Sequence, residues 1–199
     1  MIKVGIVGAN GYTGFELMRI LGSHRHAKVT VALSRSNAGT RVAELYPPLE
    51  RVYGDMTFSD IDLDALGGCD VCFTALPHAA SAEIGGKLYD RGVRVIDLSA
   101  DFRYDSLPLY EKTYGVTHPR PELNAQAVYG LTELFRNDVR TARIVGNPGC
   151  YTTASILALY PLLQTGLIGR DGIIIDAKSG VTGAGRKADV GYNYCETAD

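Results

Sequence analysis

Along the first hundred residues, short continuous apolar runs alternate with longer stretches in which apolar positions recur every three or four residues. The runs at residues 2–7, 29–33, 71–75 and 94–98 have the length and makeup of buried strands, and residues 12–22 and 79–91 have the period of helices. Such alternation predicts parallel strands with helices on both faces. Residues 143–145 add a strand, residues 127–139 a strand and short helix, and residues 151–164 a helix carrying Ile156, Leu157, Leu159, Tyr160, Leu162 and Leu163. Residues 99–124 break the pattern with an irregular stretch rich in Pro and Tyr, and a loop that long is more often functional than idle. Residues 172–177, Gly-Ile-Ile-Ile-Asp-Ala, predict a strand that belongs to a second domain.

Composition narrows the class without naming a chemistry. The 199 residues are 46% hydrophobic and 21% charged, enough to bury a core; a net charge of −2 gives no electrostatic argument for nucleic acid or an anionic membrane, and neither is expected as a partner. No apolar stretch approaches the roughly 20 residues of a membrane span, and no signal peptide is expected, since glycines interrupt the apolar run that opens with Met1-Ile2-Lys3-Val4. Four irregularly spaced cysteines point to a reducing cytoplasm. Cys69 and Cys72 form a Cys-x-x-Cys pair, but on a strand residues three apart face opposite sides, so neither a shared metal nor a disulfide is expected. Cys195 is expected to pack, and no metal site is expected.

The first chemistry-bearing motif is Gly8-Ala9-Asn10-Gly11-Tyr12-Thr13-Gly14, lying between the first strand and the first helix. Its glycines permit a tight turn and close backbone approach to a pyrophosphate, with a helix N-terminus aimed at the anion. At the end of the second strand, where an acidic residue would hold the ribose 2′-OH of NAD, stands Ser34-Arg35-Ser36. A guanidinium between hydroxyls suits a 2′-phosphate, so NADP(H) is the expected cofactor. Leu76, Pro77, His78 and Ser99, in loops after later strands, are expected to line the same crevice. The expected fold is thus a Rossmann-type, doubly wound α/β NADP-binding domain over residues 1–149. Residues 150–199 would begin an α+β substrate or dimerisation domain, and the abrupt finish after Cys195-Glu196 leads us to expect a truncated chain.

The second motif is Gly146-Asn147-Pro148-Gly149-Cys150-Tyr151-Thr152-Thr153, placed between a strand and a helix. A free cysteine is often a small buried packing residue. Here the strand, Pro-Gly turn and helix start provide the setting in which a thiolate is favoured, and Cys150 is read as a catalytic nucleophile.

Together with Tyr129-Gly130-Leu131-Thr132-Glu133 and Lys178-Ser179-Gly180-Val181-Thr182-Gly183-Ala184-Gly185-Arg186, these motifs make the chain resemble the N-acetyl-γ-glutamyl-phosphate reductases, relatives of aspartate-semialdehyde dehydrogenase, over essentially its whole length. The resemblance implies reversible, NADPH-dependent reduction of an acyl phosphate to an aldehyde in arginine biosynthesis, through a thioester on Cys150. It also implies a small-molecule acyl-phosphate substrate, a cytoplasmic homo-oligomer (dimer or tetramer), and substrate contacts from Arg103, Asn147, Gly149, Ser179, Gly180 and Arg186. The family's catalytic histidine falls beyond the stretch matched here by Cys195-Glu196. His24, His26, His78 and His118 do not stand in for it, so the chain is expected to bind NADP better than it turns over. Two alternatives stay open: the related aminoadipyl-phosphate reductase of lysine biosynthesis, and a catalytically weakened NADP-binding fragment.

Overall fold

The computed structural model describes residues 1–186 and 189–197. The chain divides into two compact units, Met1–Thr153 and Ala154–Asp199. In the first, strands β1 (Ile2–Val7), β2 (Ala27–Leu33), β3 (Val71–Thr74), β4 (Arg94–Asp97), β5 (Val128–Tyr129) and β6 (Ile144–Gly146) form one parallel sheet in the order β2-β1-β3-β4-β6-β5. Helices connect them: α1 (Tyr12–Leu21), α2 (Val42–Leu45), α3 (Glu50–Tyr53), α4 (Leu63–Gly67), α5 (Ala80–Asp90), α6 (Leu107–Tyr114), α7 (Pro121–Asn124) and α8 (Thr132–Thr141). Helix α9 (Cys150–Gln164) starts in the first unit, and α10 (Tyr194–Thr197) lies in the second.

Alternation along β1 explains the layering. Val4 and Ile6 pack with Val29, Met18, Tyr46 and Phe58, whereas Val7 belongs to a cluster with Leu33, Leu66, Cys72, Leu88 and Val95. Both faces are covered, as parallel sheets require, so four consecutive residues of β1 are buried. The chain leaves β1 toward β2 on one side and returns to β3 on the other. That reversal opens a crevice at the carboxyl ends of the strands, the usual ligand position in such sheets.

Several sequence expectations need correction. Residues 99–124 are not structureless, because α6 and α7 form there, α6 capped by the Ser106 hydroxyl and closed by Gly115 in the left-handed region. Residues 172–177 form no strand: they are exposed, and the described residues of their unit supply no strand to receive their backbone hydrogen bonds. β3 begins at Val71, so Cys69 lies in the turn after α4. The Cys69 and Cys72 sulfurs then converge beneath Gly5, 3.2 and 2.7 Å from where a Cβ would stand, instead of facing opposite sides. Burial, reinforced by Cys69, pushes the Cys72 thiol up to about 12, which keeps it protonated. Cys195 is exposed, where packing was expected.

Candidate active site

The glycine loop owes its shape to two close approaches. Gly8 has φ +82°, and a Cβ there would overlap the Ala75 carbonyl oxygen; a Cβ on Gly14 would run into the Ala9 backbone. α1 starts after Gly11 with no side-chain hydrogen bond at its cap, the arrangement in which a helix N-terminus can receive an anion. Tyr46, absent from the sequence expectations, anchors the loop by donating its hydroxyl to the carbonyls of Asn10 (2.5 Å) and Gly11 (3.0 Å). Asn10 Nδ2 donates to Ser36 Oγ and to Asn37 Oδ1, each at 2.9 Å, joining the glycine loop to the loop after β2.

A cleft of about 550 Å³ opens at this edge and brings together Gly8, Asn10, Ser34, Arg35, Ser36, Leu76 and Pro77. Val7, Leu33, Ile61, Ala80 and Ile84 complete its walls. Arg35 and Ser36 are exposed at its rim, while Ser34 is buried with its hydroxyl accepting from the Asn37 N–H at 3.2 Å. Ser34 therefore shapes the turn more than it meets a ligand. Tyr12 and Thr13 are exposed on the first turn of α1. A larger hollow of about 690 Å³ lies at the amino ends of β1 and β2, where neither the glycine loop nor Cys150 reaches, so size alone does not select the site.

The loops after β3 and β4 are knitted together by two buried carboxylates. Asp97 accepts from Thr74 Oγ1 at 2.8 Å, from Ser99 Oγ at 2.6 Å, and from the Ser81 hydroxyl. Burial pushes its carboxyl above the ordinary range, the three hydroxyls pull it back, and the charge of Asp101 pushes it up again. Ser99 is thus engaged within the protein, since its oxygen also accepts from the Asp101 N–H at 3.0 Å. His78 is half exposed; its Nδ1 accepts from the Ala100 N–H at 3.2 Å and its ring lies 4.4 Å from that of Tyr114. His118 is buried, with Nε2 donating to the Asp101 carbonyl at 2.8 Å and Nδ1 accepting from the Arg120 N–H at 3.1 Å.

Cys150 is exposed and is the first residue of α9. It follows β6 and so opens on the same carboxyl edge as the cleft, three strand positions from β1, roughly 14 Å at the usual ~4.8 Å spacing. Gly149, whose carbonyl accepts from Thr153 N–H and Thr152 Oγ1 at 2.9 Å each, has no side chain with which to cap the helix. Asn147 is fixed by its N–H on the Asp97 carbonyl at 2.7 Å. Arg103 reaches the same loop, donating Nε to the Asn147 carbonyl at 2.6 Å and Nη2 to the Leu98 carbonyl at 2.8 Å. Its Nη1 stands 3.4 Å from where a Cβ of Gly149 would be. In the second unit, Ser179 and Gly180 precede a 3-10 turn (Val181–Ala184), and Arg186 is exposed.

Residues 3–142 match the family described as semialdehyde dehydrogenase, NAD binding domain, and residues 150–199 match semialdehyde dehydrogenase, dimerisation domain. Proteins named N-acetyl-gamma-glutamyl-phosphate reductase are similar over the whole chain. The one from Ectopseudomonas mendocina is 51% identical over 199 residues and the one from Acinetobacter baylyi 52% over 201. The chain spans 58% and 57% of their respective lengths. Among solved structures, Candida albicans aspartate semialdehyde dehydrogenase with NADP superposes with a TM-score of 0.61 at 17% identity, over 82% of this chain and 47% of that one. The Francisella tularensis aspartate semialdehyde dehydrogenase gives 0.58 at 19%, over 83% and 43%. At such identities the superpositions speak for the fold.

Proposed function

The chain belongs to the semialdehyde dehydrogenase family, whose NAD-binding domain it carries, and from that premise we propose that it serves NADPH-dependent reduction of N-acetyl-γ-glutamyl phosphate. The observation that carries this reading is the placement of an exposed Cys150 at a helix start on the same sheet edge as the cleft rimmed by Arg35. The cofactor's phosphates find suitable partners in this chain: the N-terminus of α1 for the pyrophosphate, and the Arg35 guanidinium with the Ser36 hydroxyl for a 2′-phosphate. When bound, the dinucleotide supplies a hydride.

The chain's own part begins with the Cys150 sulfur. As thiolate it attacks the acyl carbon, a C–S bond forms, the C–O bond breaks with its electron pair going to the departing inorganic phosphate, and a thioester remains on Cys150. Backbone N–H groups at the start of α9 face the charge that builds on the carbonyl oxygen. Arg103, already held against the Cys150 loop, keeps Nη1 for an anionic group of the substrate. In this reading residues 1–149 hold the cofactor and residues 150–199 begin the substrate domain of a cytoplasmic homo-oligomer.

Mixing the protein with NADPH and N-acetyl-γ-glutamyl phosphate in single turnover tests the proposal. We expect phosphate release to precede an equal fall in NADPH, Cys150→Ser to abolish both, and Arg35→Ser to weaken NADPH while sparing NADH. Unchanged NADPH oxidation by Cys150→Ser sinks the mechanism.

A further inference from the structure

The Asp101 side chain has more to do than fill a buried corner. Its carboxylate is fully buried and accepts at Oδ1 from the Ala79 N–H (3.0 Å) and the Tyr110 hydroxyl (2.8 Å), and at Oδ2 from the Ala82 N–H (2.8 Å). It therefore caps α5, whose own N-cap residue, Ala79, contributes no side-chain bond and sits at φ +65°. A cap is ordinarily local. This one comes from 22 residues further on, out of the loop that carries Arg103. The same residue is fixed through its backbone, by the Ser99 hydroxyl on one side and His118 on the other. Two residues later, Arg103 spends Nε and Nη2 on the Asn147 and Leu98 carbonyls and leaves Nη1 beside Gly149. One carboxylate thus ties together the loop that follows β3, with Leu76 and Pro77 in the cofactor cleft, and the loop that sets Arg103 next to Cys150.

We propose that Asp101 is a positioning residue that holds Arg103 against the Cys150 loop, so that an anion meets the sulfur with a guanidinium already in place. The proposal rests on the reading of Cys150 and Arg103 given above. Its consequence is charge selectivity at the sulfur, which alkylating reagents of different charge report directly.

The experiment uses the full chain with Cys195→Ser, which leaves Cys150 as the exposed thiol among its cysteines. Alkylation rates are compared for anionic iodoacetate and neutral iodoacetamide. Arg103→Met is expected to lower the iodoacetate-to-iodoacetamide rate ratio about fivefold, the effect of one nearby charge on an anion in a watery setting, because any change in thiolate fraction is common to both reagents and cancels. Asp101→Asn, with Arg103 intact, is expected to give the same selective loss, because an amide turns a donor toward one of the two backbone N–H groups. If Arg103→Met lowers the ratio and Asp101→Asn does not, the role of Asp101 is overturned while the anion reading of Arg103 stands. If neither lowers it, the anion reading fails and takes the proposal with it. Should Asp101→Asn lose its folded circular dichroism spectrum, Tyr110→Phe decides. It removes one donor and keeps the carboxylate, a selective loss of about twofold is expected, and an unchanged ratio overturns the proposal.

Discussion

Asp97 lies at the end of β4 with no solvent access and three hydroxyl donors, and its ionisation is opposed mainly by burial. A carboxyl whose native pKa is raised keeps its proton to higher pH than the unfolded chain does. Its contribution to stability therefore falls as pH climbs from the unfolded value, about 3.9, toward the native one. Urea unfolding of the parent and of Asp97→Asn should show the parent losing stability relative to the variant across that window; a difference that is constant or grows in the parent's favour would refute the assignment. At this scale the sequence is legible where a side chain meets the cleft directly, as with Arg35, and misleading where a hydroxyl turns inward. Ser34 and Ser99 flank the expected cofactor site in sequence, yet both close hydrogen bonds within the protein. Tyr46 and Asn37, which hold the glycine loop from a distance, carry no local signal, because their partners are 36 and 27 residues away.

The β1-to-α1 junction shows most plainly how an element is specified. Gly8 must occupy the left-handed region and leave room for the Ala75 carbonyl, and both demands exclude a side chain. Gly8→Ala should cost about 1–3 kcal/mol in chemical denaturation and weaken NADPH binding together with stability; a variant as stable as its parent would contradict this geometry. Periodicity reveals β1 to β4, α1 and α5, since each buries a continuous run or stripe. The short helices between β2 and β3 and those within residues 99–124 escape it, because four to eight residues span too few turns to show a period. The triple isoleucine at residues 173–175 has strand composition without a strand partner among the described residues, and composition cannot supply one.

In the whole molecule, one parallel sheet orders the chemistry along its carboxyl edge: Arg35 after β2, the glycine loop after β1, Leu76 and Pro77 after β3, Arg103 beyond β4, and Cys150 after β6. The two motifs most visible in the sequence, separated by well over a hundred residues, are brought to one edge by topology alone. The reading stands or falls on whether Cys150 takes the acyl group. Incubating the protein with N-acetyl-γ-glutamyl phosphate in the absence of cofactor, followed by acid quench and peptide mass spectrometry, measures that step. We predict one equivalent of phosphate released and an acyl adduct confined to the Cys150 peptide, labile to hydroxylamine and missing from Cys150→Ser. Phosphate release that persists in Cys150→Ser, or an unmodified Cys150 after the parent has consumed the acyl phosphate, would contradict it.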